Sequence, residues 1–264
     1  FCGYASWESS LRRQQRMSSP LLRVINRTGL GLLSMIGRQR DDWDEWSRRA
    51  SVDTPQFWSG AEAFFEGPKK RIVSERLRKE HEGMTSWDAL LPIRQRFEAA
   101  TEDHAPLNWM TYSDLNLRLP ELLLMRVDKM SMGASVESRV PFLDHELIEF
   151  TLSLPAHQRY LPGQPKRLLR KAVRGIIPDA VIDRRKQGFG VPIHDWFQGR
   201  VGDEMVDTIR SFIKQTDFFN AVAIEAMIDD RNGVQLWFLF NFAKWWQKYI
   251  SDPPSELQTY PVAL

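Results

Sequence analysis

The chain has 264 residues, of which 42% are hydrophobic and 27% are charged, and its formal net charge is +2. These proportions suit a globular protein with a sizeable core and exclude a chain that is disordered throughout. The nearly balanced charge gives no support to a nucleic-acid-binding protein, and the single cysteine, Cys2, excludes an internal disulfide framework.

The first residues, Phe1-Cys2-Gly3-Tyr4, lack an initiator methionine and a signal peptide, so we expect a piece of a longer polypeptide. Residues 21–37 are apolar, but arginines interrupt them and their apolar runs fall short of the about 20 residues of a membrane span. We expect an amphipathic helix pair there, broken near Gly29 and Gly31, no membrane contact, and a cytoplasmic protein.

Helix-start patterns recur along the chain, whereas strand-like alternation bounded by hairpin dipeptides is missing. Tryptophans are spread over many of the predicted helices, and we expect them to build the core. The sequence therefore predicts a mostly α fold, with residues 251–264 as a tail. The predicted starts are Thr54-Pro55, Ser86-Trp87-Asp88, Gly163-Gln164-Pro165 and Pro178-Asp179, and amphipathic helices are predicted at Leu11–Met17 and Lys69–Glu82.

Residues 119–132 predict a buried helix in which Pro120 occupies the first turn, where its missing N–H costs nothing. Leu119, Leu123 and Met130 fall on one face at helical spacing. The segment also carries charges, and buried charges must be paired or functional. Taken alone, the pattern favours structural ion pairs. The charged residues are Glu121, Arg126, Asp128 and Lys129.

The next segment combines acids, an arginine and a proline within residues 136–145. Arg139 can clamp a carboxylate with two parallel hydrogen bonds, so it could hold Glu137, Asp144 or a substrate acid in a buried pair. Asp144 is placed to cap the helix that continues through His145. A rigid corner tied by an internal salt bridge and direct ligand contact both remain open.

The third segment, residues 182–192, places cations directly before two glycines that flank an aromatic residue. Gly188 and Gly190 allow backbone conformations and close approaches that other residues resist. A lysine such as Lys186 is a compact, mobile positive charge. This pattern predicts a lid that closes over phosphates.

In order and spacing, these segments resemble the asparagine synthetase (glutamine-hydrolysing) family, in the C-terminal part of its synthetase domain. The resemblance rests on Glu137–Asp144, on Lys166 with Arg170, and on Arg185-Lys186-Gln187-Gly188-Phe189. The stretch from Leu236 to Trp246 is similar to the closing helix of the family. The opening Phe-Cys-Gly-Tyr looks like the end of its acidic glycine loop, which usually reads Phe-Gly-Gly-Tyr.

The resemblance implies that residues 1–250 are the helical C-terminal portion of an α/β adenine-nucleotide-hydrolase-like domain of the PP-loop ATP pyrophosphatase type. The Ser-Gly-Gly-x-Asp-Ser loop that binds pyrophosphate and the N-terminal glutaminase domain are absent from these 264 residues. We therefore expect the piece alone to be inactive and the upstream half of the same enzyme to be its partner. The sequence neither requires nor excludes a homodimer.

The resemblance further implies that ATP, with Mg²⁺, activates aspartate as β-aspartyl-AMP, and that ammonia from glutamine then displaces AMP. Lys186 matches the lysine expected to stabilise departing pyrophosphate, and Gly188 and Gly190 shape its loop. Tyr4 matches a tyrosine of the acyl-adenylate pocket, and Glu121 is the nearest candidate for its acidic partner. Arg139, Glu137 and Asp144 are assigned to substrate binding or to the corner, and no metal ligand is assigned.

Departures from the family pattern leave other functions open. Leu122 stands where many relatives carry an acid, so the acceptor could be a sugar uronate, a peptide or an antibiotic precursor. A non-catalytic helical module is the third interpretation. Cys2-Gly3 resembles the start of a glutaminase with an N-terminal nucleophile, but Phe1 would mask the α-amine that such a cysteine needs as its base.

Overall fold

The computed structural model describes residues 4–17, 19, 41–58, 60, 62–184, 192–197, 199–230 and 233–252. Within these ranges the chain is mostly helical and its β-structure consists of isolated bridges, which confirms the predicted α content. The predicted helix pair of residues 21–37 and nearly all of the tail lie outside the described residues. Among the helices that can be described, none has the length and apolar character needed to cross a bilayer.

The chain divides into two compact units, residues 1–62 with 85–186 (unit 1) and residues 63–84 with 187–264 (unit 2). A 3₁₀ turn covers Pro141–Leu143, and π-helical segments cover Asp114–Leu124 and Gln247–Ser251. The described α-helices are α1 (Ala5–Met17), α2 (Asp41–Ser51), α3 (Glu66–Ile72), α4 (Glu75–Glu80), α5 (Ser86–Ala100), α6 (Pro106–Ser113), α7 (Met125–Met132), α8 (His145–Ser153), α9 (Ala156–Arg159), α10 (Arg167–Ala172), α11 (Asp179–Ile182), α12 (Ile193–Trp196), α13 (Arg200–Gln215), α14 (Ala221–Asp229) and α15 (Gly233–Trp246).

Local capping signals located several helices correctly. Thr85 accepts a hydrogen bond from the Trp87 N–H, and the Asp88 carboxylate accepts one from the Thr85 N–H at 2.6 Å, so a capping box opens α5. The helix predicted after Pro178 is also present as α11. These starts depend on hydrogen bonds within one turn, which is why the sequence shows them.

Two predicted helices were wrong. The Thr54-Pro55 pattern opens no helix, because the Thr54 N–H donates to the Arg49 carbonyl at 2.9 Å and closes the end of α2. The single helix predicted over Lys69–Glu82 is split into α3 and α4, because Val73 is extended and forms a bridge with Phe219. In both places a backbone contact overrides the helical preference of the local sequence.

Aromatic rings build the core of unit 1. Trp58, Phe97 and Trp109 are buried in one cluster with Leu90 and Ile93 from α5. The indole N–H of Trp109 donates to the Phe57 carbonyl at 2.9 Å, which satisfies the one polar atom of the ring. The prediction that tryptophans form the helical core is confirmed in this unit. A neighbouring cluster joins Trp7 and Phe57 to Leu107 and Met110 of α6.

Unit 2 has its own core, in which Ile209 of α13, Ile224 of α14 and Leu236 of α15 are buried together with Ile72 of α3. Helix α15 is the closing helix that the resemblance predicts. It packs against α13 and buries Leu236, Leu239 and Ala243. Its apolar residues occur on most sides, and Phe238, Phe242 and Trp245 are exposed.

Arg49 is a buried charged residue near the start of unit 1, and only 2% of its side chain is exposed. Its guanidinium pairs with Glu45 at 2.7 Å and with Glu62, and donates to the Gln56 carbonyl at 2.9 Å. It also lies 3.9 Å above the Trp58 ring. A buried charge is tolerated only when it is paired and hydrogen-bonded, and Arg49 meets that condition by joining α2 to the following loop.

We predict that Arg49→Ala lowers the free energy of unfolding by about 3–5 kcal/mol, because Glu45 and Glu62 lose their buried partner. The matched control is Arg12→Ala, which breaks the helical pair with Glu8 at a side chain that is 66% exposed. Arg12→Ala should lower the free energy of unfolding by less than about 1 kcal/mol. Urea denaturation followed by tryptophan fluorescence measures both, and equal costs would contradict the role given to Arg49.

Candidate active site

Helix α6, the π-helical segment and α7 form one continuous helix over residues 106–132, since the residues at both junctions have right-handed helical backbone angles. The predicted start at Pro120 was therefore wrong, because Pro120 lies inside this central helix. The Met125 N–H donates to the Pro120 carbonyl five residues earlier, which is the wider π-helical pattern. The π-helical segment also includes the turn before Pro120, where the proline ring would crowd the carbonyl of Asn116 in a regular α-helix.

The central helix is buried in its first half and exposed in its second. Leu107, Trp109 and Met110 belong to the core, whereas none of residues 114–132 is buried and Met130 is 79% exposed. The prediction of a buried helix over residues 119–132 was therefore wrong for this chain. Its charged side chains, including Arg126, are exposed to solvent and do not need internal partners.

Tyr4 stands at the start of α1, where its carbonyl accepts a hydrogen bond from the Trp7 N–H at 3.1 Å. Its half-buried ring packs on the Trp7 side of the core, with the two ring centroids 6.3 Å apart. The guanidinium of Arg118 lies 4.8 Å from the centre of the Tyr4 ring. This distance is in the range of a cation–π interaction, so the central helix and α1 meet at Tyr4.

Asp114 lies one turn before Arg118 on the same helix, with 4.0 Å between its Oδ1 and the Arg118 Nη1. The two side chains are partly buried, with 22% of Arg118 and 18% of Asp114 exposed. Burial raises the pKa of Asp114 above its ordinary value, and the nearby charge of Arg118 lowers it less. Sequence reasoning missed this pair because it began the helix too late. The signal was present as an acid and an arginine at i,i+4 spacing before Pro120.

Glu121, the predicted partner of Tyr4, is exposed and follows Arg118 by three residues on the central helix. Lys186, Gly188 and Gly190 lie outside the described residues, so the lid over phosphates stays a prediction.

The corner between α7 and α8 is tied locally, as one of the two interpretations expected. Arg139 pairs with Glu137 at 2.8 Å, and the Leu147 N–H donates to the Asp144 carboxylate at 3.1 Å. The predicted cap by Asp144 is confirmed. The expectation of a buried pair was wrong, since the Arg139 side chain is 81% exposed and that of Glu137 is 65% exposed.

Within the described ranges, no three His, Cys, Asp or Glu side chains lie close enough together to hold a metal ion.

Nearly the whole chain is similar to known proteins. Residues 1–248 match the family model described as asparagine synthase. Asparagine synthetase (glutamine-hydrolyzing) 1 of Bacillus subtilis (strain 168) is 30% identical over 180 residues, covering 64% of this chain and 28% of the relative. The putative asparagine synthetase (glutamine-hydrolyzing) of Mycobacterium tuberculosis (strain ATCC 25618 / H37Rv) is 29% identical over 226 residues, covering 82% and 33%. No solved structure matches.

The match over residues 1–248, together with the helical architecture, defines this chain as a segment of a synthetase domain. The chain belongs to the asparagine synthase family. It spans about a third or less of the length of these two relatives.

We predict that Arg139→Ala changes the free energy of unfolding by less than about 1 kcal/mol, because an exposed ion pair contributes little. Glu137→Ala is the matched variant, since it removes the other partner of the same pair. Chemical denaturation of both variants measures the effect. The measurement uses the 264-residue chain, in which a loss of several kcal/mol from either variant would contradict an exposed pair.

Proposed function

We propose that the natural polypeptide carrying this chain converts aspartate to asparagine, with ATP and with ammonia derived from glutamine, through a β-aspartyl-AMP intermediate. The observation that carries the proposal is the match of residues 1–248 to the asparagine synthase family. The names of the Bacillus and Mycobacterium relatives support aspartate as the acceptor.

In the first step, an oxygen of the aspartate side-chain carboxylate attacks the α-phosphorus of ATP, and the bond to pyrophosphate breaks. The leaving pyrophosphate gains negative charge as that bond lengthens. A cation beside it therefore stabilises the transition state more than the ground state. We assign this role to Lys186, with Gly188 and Gly190 allowing the loop to approach the phosphates closely.

In the second step, the nitrogen of ammonia attacks the acyl carbon and AMP leaves, so the attacking nitrogen must lose a proton. We assign Tyr4 and Glu121 to the acyl-adenylate pocket, where they would accept that proton. The contact between Arg118 and the Tyr4 ring supports this assignment, because Glu121 follows Arg118 by only three residues on the central helix.

The corner after α7 is assigned to aspartate binding and to the shape of the pocket. The guanidinium of Arg139 is accessible and can donate two parallel hydrogen bonds to a substrate carboxylate. Glu137 would then orient Arg139, and Asp144 would hold the corner by capping α8.

The full natural polypeptide tests the function directly. Aspartate, ATP, magnesium and ammonia should release pyrophosphate and form asparagine in equal amounts, with glutamate in place of aspartate as the control. Absence of aspartate-dependent pyrophosphate release would reject the proposal.

We predict that Lys186→Ala lowers the rate of aspartate-dependent pyrophosphate release by about 10²–10³-fold, the usual effect of losing one preorganised group that stabilises transition-state charge. Glutamine hydrolysis should stay near the wild-type rate. Arg184→Ala is the matched control, since Arg184 is an exposed cation two residues earlier. Equal losses of both activities in Lys186→Ala would instead indicate a structural lysine.

We also propose that residues 1–250 complete a PP-loop type α/β domain whose remaining part precedes them in the natural polypeptide, and that residues 251–264 form a tail. The exposed second half of the central helix and the corner after it are the surface that this upstream part would cover. Eight large apolar side chains are exposed within residues 123–142, which supports a covering partner for this stretch. They are Leu123, Met125, Val127, Met130, Met132, Val136, Val140 and Phe142.

We predict that Met130→Asp destabilises the natural polypeptide by at least about 2 kcal/mol, because it would bury an unpaired charge beneath the upstream part. Val222→Asp is the matched control, since Val222 is 80% exposed on α14 of unit 2 and Met130 is 79% exposed. Thermal unfolding of both variants measures the difference. The same small effect from both substitutions would contradict the proposed covering of this surface.

A further inference from the structure

The Tyr4 ring is held from two directions by elements that are far apart in the sequence. Its own helix, α1, fixes the backbone through the hydrogen bond to Trp7, and the Trp7 ring packs beside it. Arg118 of the central helix lies over the ring, 4.8 Å from its centre. Arg118 is therefore one of the contacts that hold the Tyr4 ring in place.

The Arg118 guanidinium is itself held by charge. Among the described residues, its Nε is buried without a hydrogen-bond partner, and so is the Oδ1 of Asp114. The separation of 4.0 Å between Asp114 and Arg118 is too long for a hydrogen bond but short enough for strong attraction in a partly buried site. At this distance the negative charge of Asp114 attracts the guanidinium that lies over Tyr4.

We propose that Asp114 and Arg118 are positioning residues, which orient the Tyr4 ring for the chemistry of the acyl-adenylate. The inference rests on the proposed function, since the role of Tyr4 belongs to it. Asp114 holds the guanidinium, Arg118 holds the ring, and neither is assigned a proton transfer.

A measurement of protein stability distinguishes this positioning role from a purely structural one. Burial raises the pKa of Asp114, so its ionisation is less favourable in the folded than in the unfolded protein. The ionised carboxylate therefore lowers the free energy of unfolding. This loss of stability is absent below the pKa of Asp114 in the unfolded state and appears as the pH rises through its pKa in the folded state. An asparagine of the same shape avoids the penalty but cannot hold Arg118 by charge.

The test uses Asp114→Asn and Arg118→Met in the full natural polypeptide, assayed by aspartate-dependent pyrophosphate release. Asp114→Asn should unfold at nearly the wild-type urea concentration at neutral pH, because it removes a desolvated carboxylate but also leaves the Arg118 charge without its partner. Its kcat should fall about tenfold, with the KM for ATP unchanged. Arg118→Met, which keeps the apolar stem of the side chain, should lower kcat by a similar factor. Arg118→Lys should recover most of the rate, because an ammonium also binds an aromatic face.

The exposed pair of Arg76 and Asp217 in unit 2 supplies the matched control, with a distance of 2.8 Å between the Arg76 Nη2 and the Asp217 Oδ1. Asp217→Asn should leave kcat unchanged. An unchanged kcat in Asp114→Asn would overturn the inference. A fall in kcat that only follows a lower stability would overturn it as well, since that is the behaviour of a structural pair.

A second measurement keeps this inference distinct from the proposed function. In the polypeptide labelled with ¹³C at the tyrosine ring, Tyr4→Phe assigns the Tyr4 resonance. Arg118→Met should shift that resonance whether or not the wild type releases pyrophosphate. An inactive wild type would reject the function, whereas an unshifted resonance would overturn the positioning role itself.

Discussion

The central helix over residues 106–132 is the constraint on which the arrangement of unit 1 depends. Its first half is fixed by Trp109, which is packed in the aromatic core and hydrogen-bonded to the Phe57 carbonyl. Its second half continues through Pro120 into solvent because the π-helical turns accommodate the proline. Asp114 and Arg118 lie at the change from buried to exposed. At that position the two charges are partly shielded from water.

Two arginines in unit 1 show how burial decides what a charged side chain does. Arg49 is enclosed by Glu45, Glu62 and the Trp58 ring, so it joins segments of the chain and contributes to stability. Arg139 is paired with Glu137, two residues away in the sequence, and its side chain is 81% exposed, so its guanidinium is open to solvent. Their chemistry is identical, and the difference in role follows from desolvation.

The candidate site could be predicted only in part from the sequence. Tyr4, Arg139 and Lys186 were predicted because they occupy motif positions shared with a family, and Glu121 was predicted as the nearest acid that could pair with Tyr4. Arg118 was not found, because its contact with the Tyr4 ring joins two segments that no local pattern connects. A helix boundary placed at Pro120 also hid the spacing between Asp114 and Arg118. The rule that proline opens helices is valid locally, but here π-helical turns carry the helix through Pro120.

The sequence by itself determined the helical class, the capping box at Thr85, the cap at Asp144 and membership of the asparagine synthase family. These features depend on hydrogen bonds within one turn or on the order of motifs. The tertiary structure alone decided that Arg49 is buried, that Arg139 is exposed and that Arg118 lies over Tyr4. Burial and contacts between distant residues depend on how helices pack, and no short stretch of sequence contains that information.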